Sequence, residues 1–214
     1  EIMGADQIIE LSNSADLDLT IGDLTKTIAK QGGTPYIIPS GGSNELGVAG
    51  YIDGALEIYR QMEALELSVS RVYCPTSSGG TQAGLIAGFK ALDIPVKVYG
   101  VAVKNESQEQ KRKVYNLALK ACQQFKMMPI DEEDVNCTDE LLGAGYGILT
   151  SEVKEAIQIV ARTEGILLDP VYSGKAMAGL ISHIKSGELT KSDQVVFLHT
   201  GGSPALQAYS SSFV

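Results

Sequence analysis

At 214 residues, with 44% hydrophobic and 20% charged, the chain can bury a real core and does not read as disordered. A formal charge of −9 argues against nucleic acid as the main partner, and no apolar run approaches membrane-spanning length. Cys74, Cys122 and Cys137 have no metal-ligand spacing, and the two histidines, His183 and His199, are too few for a histidine-rich site, so no metal is expected. Sparse, odd-numbered cysteines with no signal peptide read as reduced thiols of a cytoplasmic protein.

Residues 1–6 read as the last turn of a helix stopped at Gly4, and 7–11 as a strand. A domain seldom begins on a final helical turn, so the chain reads as a fragment of something longer. A helix is expected over 19–30, with Leu24 and Ile28 on one face, then a short strand at 36–38. Asn44 is placed to cap the next helix, whose face carries Ile52, Ala55, Leu56, Tyr59 and Met62. Strands at 69–74 and 96–103 flank a helix containing Leu85, Ile86 and Phe89. A long helix over 106–126 presents Val114, Leu117, Ala121 and Phe125, and the acidic run 131–134 reads as a solvated face. Helices near 151–162 and 175–185 surround a short buried strand at 166–168, and a last strand at 194–199 ends in Thr200-Gly201-Gly202. This alternation predicts an open, mostly parallel α/β sheet with helices on both faces, whose ligands bind beyond the carboxyl ends of the strands.

The most informative stretch is Cys74-Pro75-Thr76-Ser77-Ser78-Gly79-Gly80-Thr81-Gln82-Ala83-Gly84. A strand runs into glycines flanked by hydroxyls, and these open directly onto a helix. Close backbone approach, free N–H donors and the positive end of a helix are what a phosphate needs. The spacing is neither the dinucleotide fingerprint nor a Walker loop. An ordinary strand-to-helix turn is the plainer alternative.

Six stretches together resemble one family: 36–44, 77–84, Gly145-Tyr146-Gly147, Thr163-Glu164-Gly165, 168–177 (Leu-Asp-Pro-Val-Tyr-Ser-Gly-Lys-Ala-Met) and 199–206 (His-Thr-Gly-Gly-Ser-Pro-Ala-Leu). They are similar, in order, to the pyridoxal-phosphate enzymes of the D-cysteine desulfhydrase and aminocyclopropane-carboxylate deaminase group. The resemblance implies the two-domain fold type II of these enzymes (the tryptophan-synthase β type). Residues 1–44 would be the remainder of an incomplete smaller domain and 45–214 the larger, cofactor-binding one. It implies a homodimer acting on a small amino acid, with Ser78, Gly79, Gly80 and Thr81 around the cofactor phosphate and Tyr146 and Tyr172 as active-site phenols.

The family's Gly-Asn-Lys stretch, which carries the Schiff-base lysine, and its Ser-Asn loop do not occur here. Lys175 lies near the site, but the family does not use that position for the Schiff base, so it reads as a first-turn helix residue. The isolated chain is expected to be inactive, and a separately supplied missing segment is a conceivable partner. Deaminases of the group place glutamate where this chain has Ser173 and leucine where it has Thr200, beside the pyridine nitrogen. Neutral hydroxyls there suit β-elimination and fit poorly with cyclopropane opening. The resemblance therefore points to a carbon–sulfur lyase that converts D-cysteine to pyruvate, ammonia and sulfide. A deaminase, a cysteate lyase, a non-catalytic remnant that binds phosphate ligands, and an unrelated sugar- or nucleotide-phosphate module stay open.

Overall fold

The computed structural model describes residues 4–12 and 16–213. The chain divides into two units, Glu1–Pro39 and Ser40–Val214. In the first, helix α1 (Leu17–Lys30) forms where the apolar spacing places it. The strands expected at 7–11 and 36–38 do not form. Strand backbone needs a ladder partner, and among the described residues of this unit there is no strand to supply one. The helical turn expected at residues 1–6 rests partly on 1–3, outside the described residues.

The second unit is built on a parallel sheet of four strands in the order β3-β2-β1-β4: β1 (Val69–Thr76), β2 (Lys97–Ala102), β3 (Asn136–Thr138) and β4 (Gln194–Phe197). Helices α2 (Glu45–Ala64), α3 (Gly80–Ala91) and α4 (Ser107–Gln124) cover one face; α5 (Ser151–Glu164) and α6 (Ser173–Lys185) cover the other. The period-two rule explains the split. Val72, Cys74 and Val98 enter the core under α2–α4, while Tyr73 packs with Leu180 of α6 and Val101 with Ala176. Burial on both faces is why β1 reads as a nearly continuous apolar run. This is the α/β architecture expected from the alternating pattern.

Asn44 caps α2, accepting from the Gly47 N–H at 2.8 Å, and Thr150 caps α5. The strand expected at 166–168 is absent: Leu168 is buried, but Ile166 and Leu167 are exposed and pair with no strand. The acidic run forms a single 3-10 turn whose Asp131 and Asp134 hold Lys90 at 3.2 and 3.0 Å, so it is paired as well as solvated.

Helices α2 and α3 approach closely because Gly84 and Gly88 lie one turn apart on the facing side of α3. A Cβ on Gly88 would sit 2.5 Å from the Ala55 Cβ and 2.8 Å from the Ile52 carbonyl oxygen. Gly88→Val therefore overpacks the contact. It is expected to cost about 1–3 kcal/mol, read as a lower urea midpoint with an unchanged slope.

Candidate active site

The chain leaves β1 through β2 to β3 in one direction, then returns to lay β4 on the other side of β1. The loops after β1 and β4 therefore part at their carboxyl ends, where open parallel sheets form their crevice. A cleft of about 380 Å³ lies there. It is lined by Ser77, Ser78, Gly79 and Thr81 of the β1 loop, by Thr200, Gly201 and Gly202 after β4, and by Tyr172, Tyr51 and Gln82. A groove of about 390 Å³ near Lys90, Lys97 and Asp134 is equally large, but it sits at the amino ends of β2 and β3 and has no glycine loop.

The β1 loop has the geometry of an anion cradle. Gly79 has φ +92°, a left-handed conformation that turns the chain out of β1 and straight into α3. The first N–H groups of α3, those of Gly80, Thr81 and Gln82, have no intrahelical acceptor, and the helix dipole adds positive potential at that end. Ser43 donates to the Ser78 hydroxyl at 2.6 Å. A Cβ on Gly80 would lie 2.7 Å from the Ser43 oxygen, so only glycine lets this pair and the helix start meet.

A residue the sequence reading missed supports the cradle from behind. Gln110 of α4 is fully buried and donates to the Thr76 hydroxyl at 3.0 Å and to the Ser77 carbonyl at 3.1 Å. Its signal was present: Gln110 falls in phase with Val114, Ala118 and Ala121, a polar residue on an apolar face. Gln82 fills the equivalent place under the sheet, donating to the Asn136 carbonyl at 2.7 Å against Gly100, which has no side chain to oppose it.

On the other side of the cleft, Asp169 organises the start of α6. Its carboxylate accepts the N–H groups of Val171, Tyr172 and Ser173 at 2.7–2.8 Å and the Ser173 hydroxyl at 2.6 Å. Ser173 also accepts from the Asp169 N–H at 2.8 Å. Ser173 is fully buried, with its hydroxyl both donating to and accepting from Asp169. Thr200, in contrast, is exposed at the cleft. The loop that carries it is held by His199, which accepts from the Gly201 N–H at 3.1 Å and therefore donates through Nε2 to the Leu167 carbonyl at 3.0 Å.

Tyr172 and Tyr146 meet hydroxyl to hydroxyl at 2.5 Å with their rings edge to face. Burial, the Tyr146 hydroxyl and the nearby Asp169 push the Tyr172 phenol up to about 12, so it stays protonated at neutral pH. Lys175 is fully buried, and its Nζ donates to the Leu142 carbonyl at 2.8 Å; burial lowers its pKa. Burial also pushes the thiols of Cys74 and Cys137 up to about 12, which keeps them from acting as nucleophiles. The sequence-predicted Ser78, Gly79, Gly80, Thr81, Tyr172 and Thr200 thus gather at or beside one cleft, with Tyr146 bonded to it through Tyr172, whereas Ser173 is buried against Asp169 and does not line the cleft.

The model of the pyridoxal-phosphate dependent enzyme family matches residues 1–201, and the chain belongs to that family. A solved ACC deaminase homologue superposes with a TM-score of 0.88 at 30% identity, covering 99% of this chain. The chain spans 63% of that protein's length. An O-ureido-L-serine synthase (TM-score 0.59, 15% identity, 94% of this chain and 58% of that one) shares the fold. So does a fungal L-serine ammonia-lyase from Rhizomucor miehei (TM-score 0.51, 17% identity, 78% of this chain and 56% of that one).

Two outcomes are expected from this geometry. Gly80→Ala should weaken pyridoxal phosphate binding about tenfold, ~1.4 kcal/mol, while leaving the binding of phosphate-free pyridoxal unchanged; equilibrium dialysis of both ligands checks this. For Tyr172 the folded pKa lies above the ordinary phenol value of about 10. Its contribution to stability is thus fully present below pH 10 and is lost as pH rises from about 10 to about 12. Tyr146→Phe should bring the Tyr172 titration to lower pH, read by ultraviolet phenolate absorbance against Tyr172→Phe.

Proposed function

We propose that this member of the pyridoxal-phosphate dependent enzymes carries the cofactor-binding core of a D-cysteine desulfhydrase. The reaction is α,β-elimination: D-cysteine and water give pyruvate, ammonia and hydrogen sulfide. The cofactor, when bound, supplies an electron sink for the substrate's α-carbon. The residues present fit its phosphate: Gly79 and Gly80 pack against Val114 and Ser43 too closely for a side chain, and the adjoining donors are backbone N–H groups and hydroxyls. Ser78, Gly79, Gly80 and Thr81 would hold that phosphate, and Thr200 would stand at the ring.

One observation carries the choice of chemistry. None of the described residues lining the cleft is charged at neutral pH. The nearest organised carboxylate, Asp169, already accepts three backbone N–H groups and a hydroxyl. A ring facing Thr200 therefore meets a neutral hydroxyl, which suits a reaction whose leaving group takes the electrons. The Tyr172 phenol, protonated at neutral pH, would hydrogen-bond the departing sulfur, with Tyr146 fixing its hydroxyl. Aminocyclopropane-carboxylate deamination is the second reading, favoured by the 30% identity to the ACC deaminase homologue.

The test is steady-state kinetics of the complete, cofactor-loaded protein. Pyruvate and sulfide should appear in equal amounts from D-cysteine, and Thr200→Leu should slow turnover about tenfold, ~1.4 kcal/mol. Thr200 is the clean site to vary, because Ser173→Glu would set a second carboxylate against Asp169 in a fully buried place. Ammonia release from aminocyclopropane-carboxylate without sulfide from D-cysteine would reject the proposal in favour of the second reading.

A further inference from the structure

Tyr146 rides on an irregular segment with glycine at 143, 145 and 147, all at positive φ. Such a segment has many conformations to lose and no regular ladder to hold it. Yet the hydroxyl contact with Tyr172 requires Tyr146 in one place. Local backbone bonds are few: the Leu142 N–H reaches the Asp139 carbonyl at 3.0 Å and the Ile148 N–H the Gly145 carbonyl at 3.3 Å.

Two side chains from distant parts of the chain supply the missing restraint. Lys175, in the first turn of α6, donates from Nζ to the Leu142 carbonyl at 2.8 Å and reaches the Gly145 carbonyl at 3.5 Å. Tyr209, in the 3-10 run Ser203–Phe213, donates to the Gly147 carbonyl at 2.6 Å. The two grips therefore bracket Tyr146: Lys175 holds Leu142 and, more distantly, Gly145 before it, and Tyr209 holds Gly147 directly after it. Lys175 is fully buried, and an amine is costly to bury unless its protons are used. An apolar side chain of similar length would fill the same space, so packing alone gives no reason for the amine. Lys175 also lies three residues after Tyr172, so one helix start carries one phenol and the anchor for the other.

We infer that Lys175 and Tyr209 are positioning residues that clamp residues 142–147 by their carbonyls and so hold the Tyr146 hydroxyl on Tyr172. This rests on the reading of the two phenols as a working pair. The test needs neither substrate nor cofactor, so its failure is distinguishable from failure of the proposed reaction.

Fluorotyrosine is placed at position 172 of the full chain and titrated by fluorine NMR, with Tyr146→Phe as the reference for a broken pair. Lys175→Met should lower the Tyr172 midpoint by about one pH unit, matching that reference, and speed amide exchange over 142–148 at least tenfold with α6 exchange unchanged. Tyr209→Phe, which removes one hydroxyl only, should move both readouts in the same direction by a smaller amount. A folded Lys175→Met with the parent midpoint and parent loop exchange would overturn the proposal. Should Lys175→Met fail to fold, Tyr209→Phe decides alone, and an unshifted midpoint there overturns it equally. A loss of global stability with the midpoint unmoved would mean that these groups only pack.

Discussion

The site depends on one buried carboxylate. Asp169 lies between the end of α5 and the start of α6, and its two oxygens accept four hydrogen bonds, all from residues 171–173. Each bond to such a group is worth about 1.5–3 kcal/mol, and an unpartnered carboxylate at the same depth would cost more than any one of them returns. The turn therefore has one arrangement in which the group is satisfied. That arrangement fixes Tyr172 beside the cleft and aims α6 along the sheet. It also constrains the opposite loop, since a Cβ on Gly202 would lie 2.7 Å from the Asp169 carboxyl carbon. Asp169 thus sets both Tyr172 and the approach of the Thr200 loop.

The cradle across the cleft is organised by a different means. Among the described residues no buried ion stands there; backbone brought unusually close does the work. Gly80 against Ser43, and Gly100 against Gln82, are places where a methyl group would collide with the neighbouring polar side chain. Gln110 then ties the β1 loop to α4, and Ser43, just before α2, ties it to Ser78, so the loop is braced before any ligand meets it. A loop braced in this way would have little reorganisation left to undergo on holding an anion.

The alternation of apolar runs with loops made α2 to α6 and β1, β2 and β4 legible: α4 and α5 bury one face at helical spacing, whereas α3 and β1 are buried nearly throughout and β4 is only half-buried. Residues 36–38 and 166–168 have strand composition, but strand formation is a property of pairs, and neither has a partner. β3 escaped notice because three residues show no period, and its place is given by pairing with β2. The cradle was readable since glycines, hydroxyls and helix start are contiguous in sequence. Gln110, Asp169 and Ser43 were not assigned roles, because what they touch is chosen by the fold: Ser43 reaches 35 residues ahead and Gln110 reaches back 34. Lys175 looked like an ordinary first-turn lysine, and only its complete burial separates it from one.

The whole chain carries a formal charge of −9, and the cofactor of this family is itself an anion. Attraction must therefore arise locally, within the screening length of about 8 Å at physiological salt. The described residues lining the cleft are uncharged, and among them the helix dipole and oriented N–H groups would provide it. The same neutrality limits what the site can do to a bound ring. On the proposed reading, a ring facing Thr200 would meet no carboxylate among the described residues lining the cleft, so its nitrogen would have no ion pair to hold it protonated and carbanionic charge would gain less stabilisation. Chemistry that discharges electrons onto a good leaving group tolerates that limit, and chemistry that must store them does not.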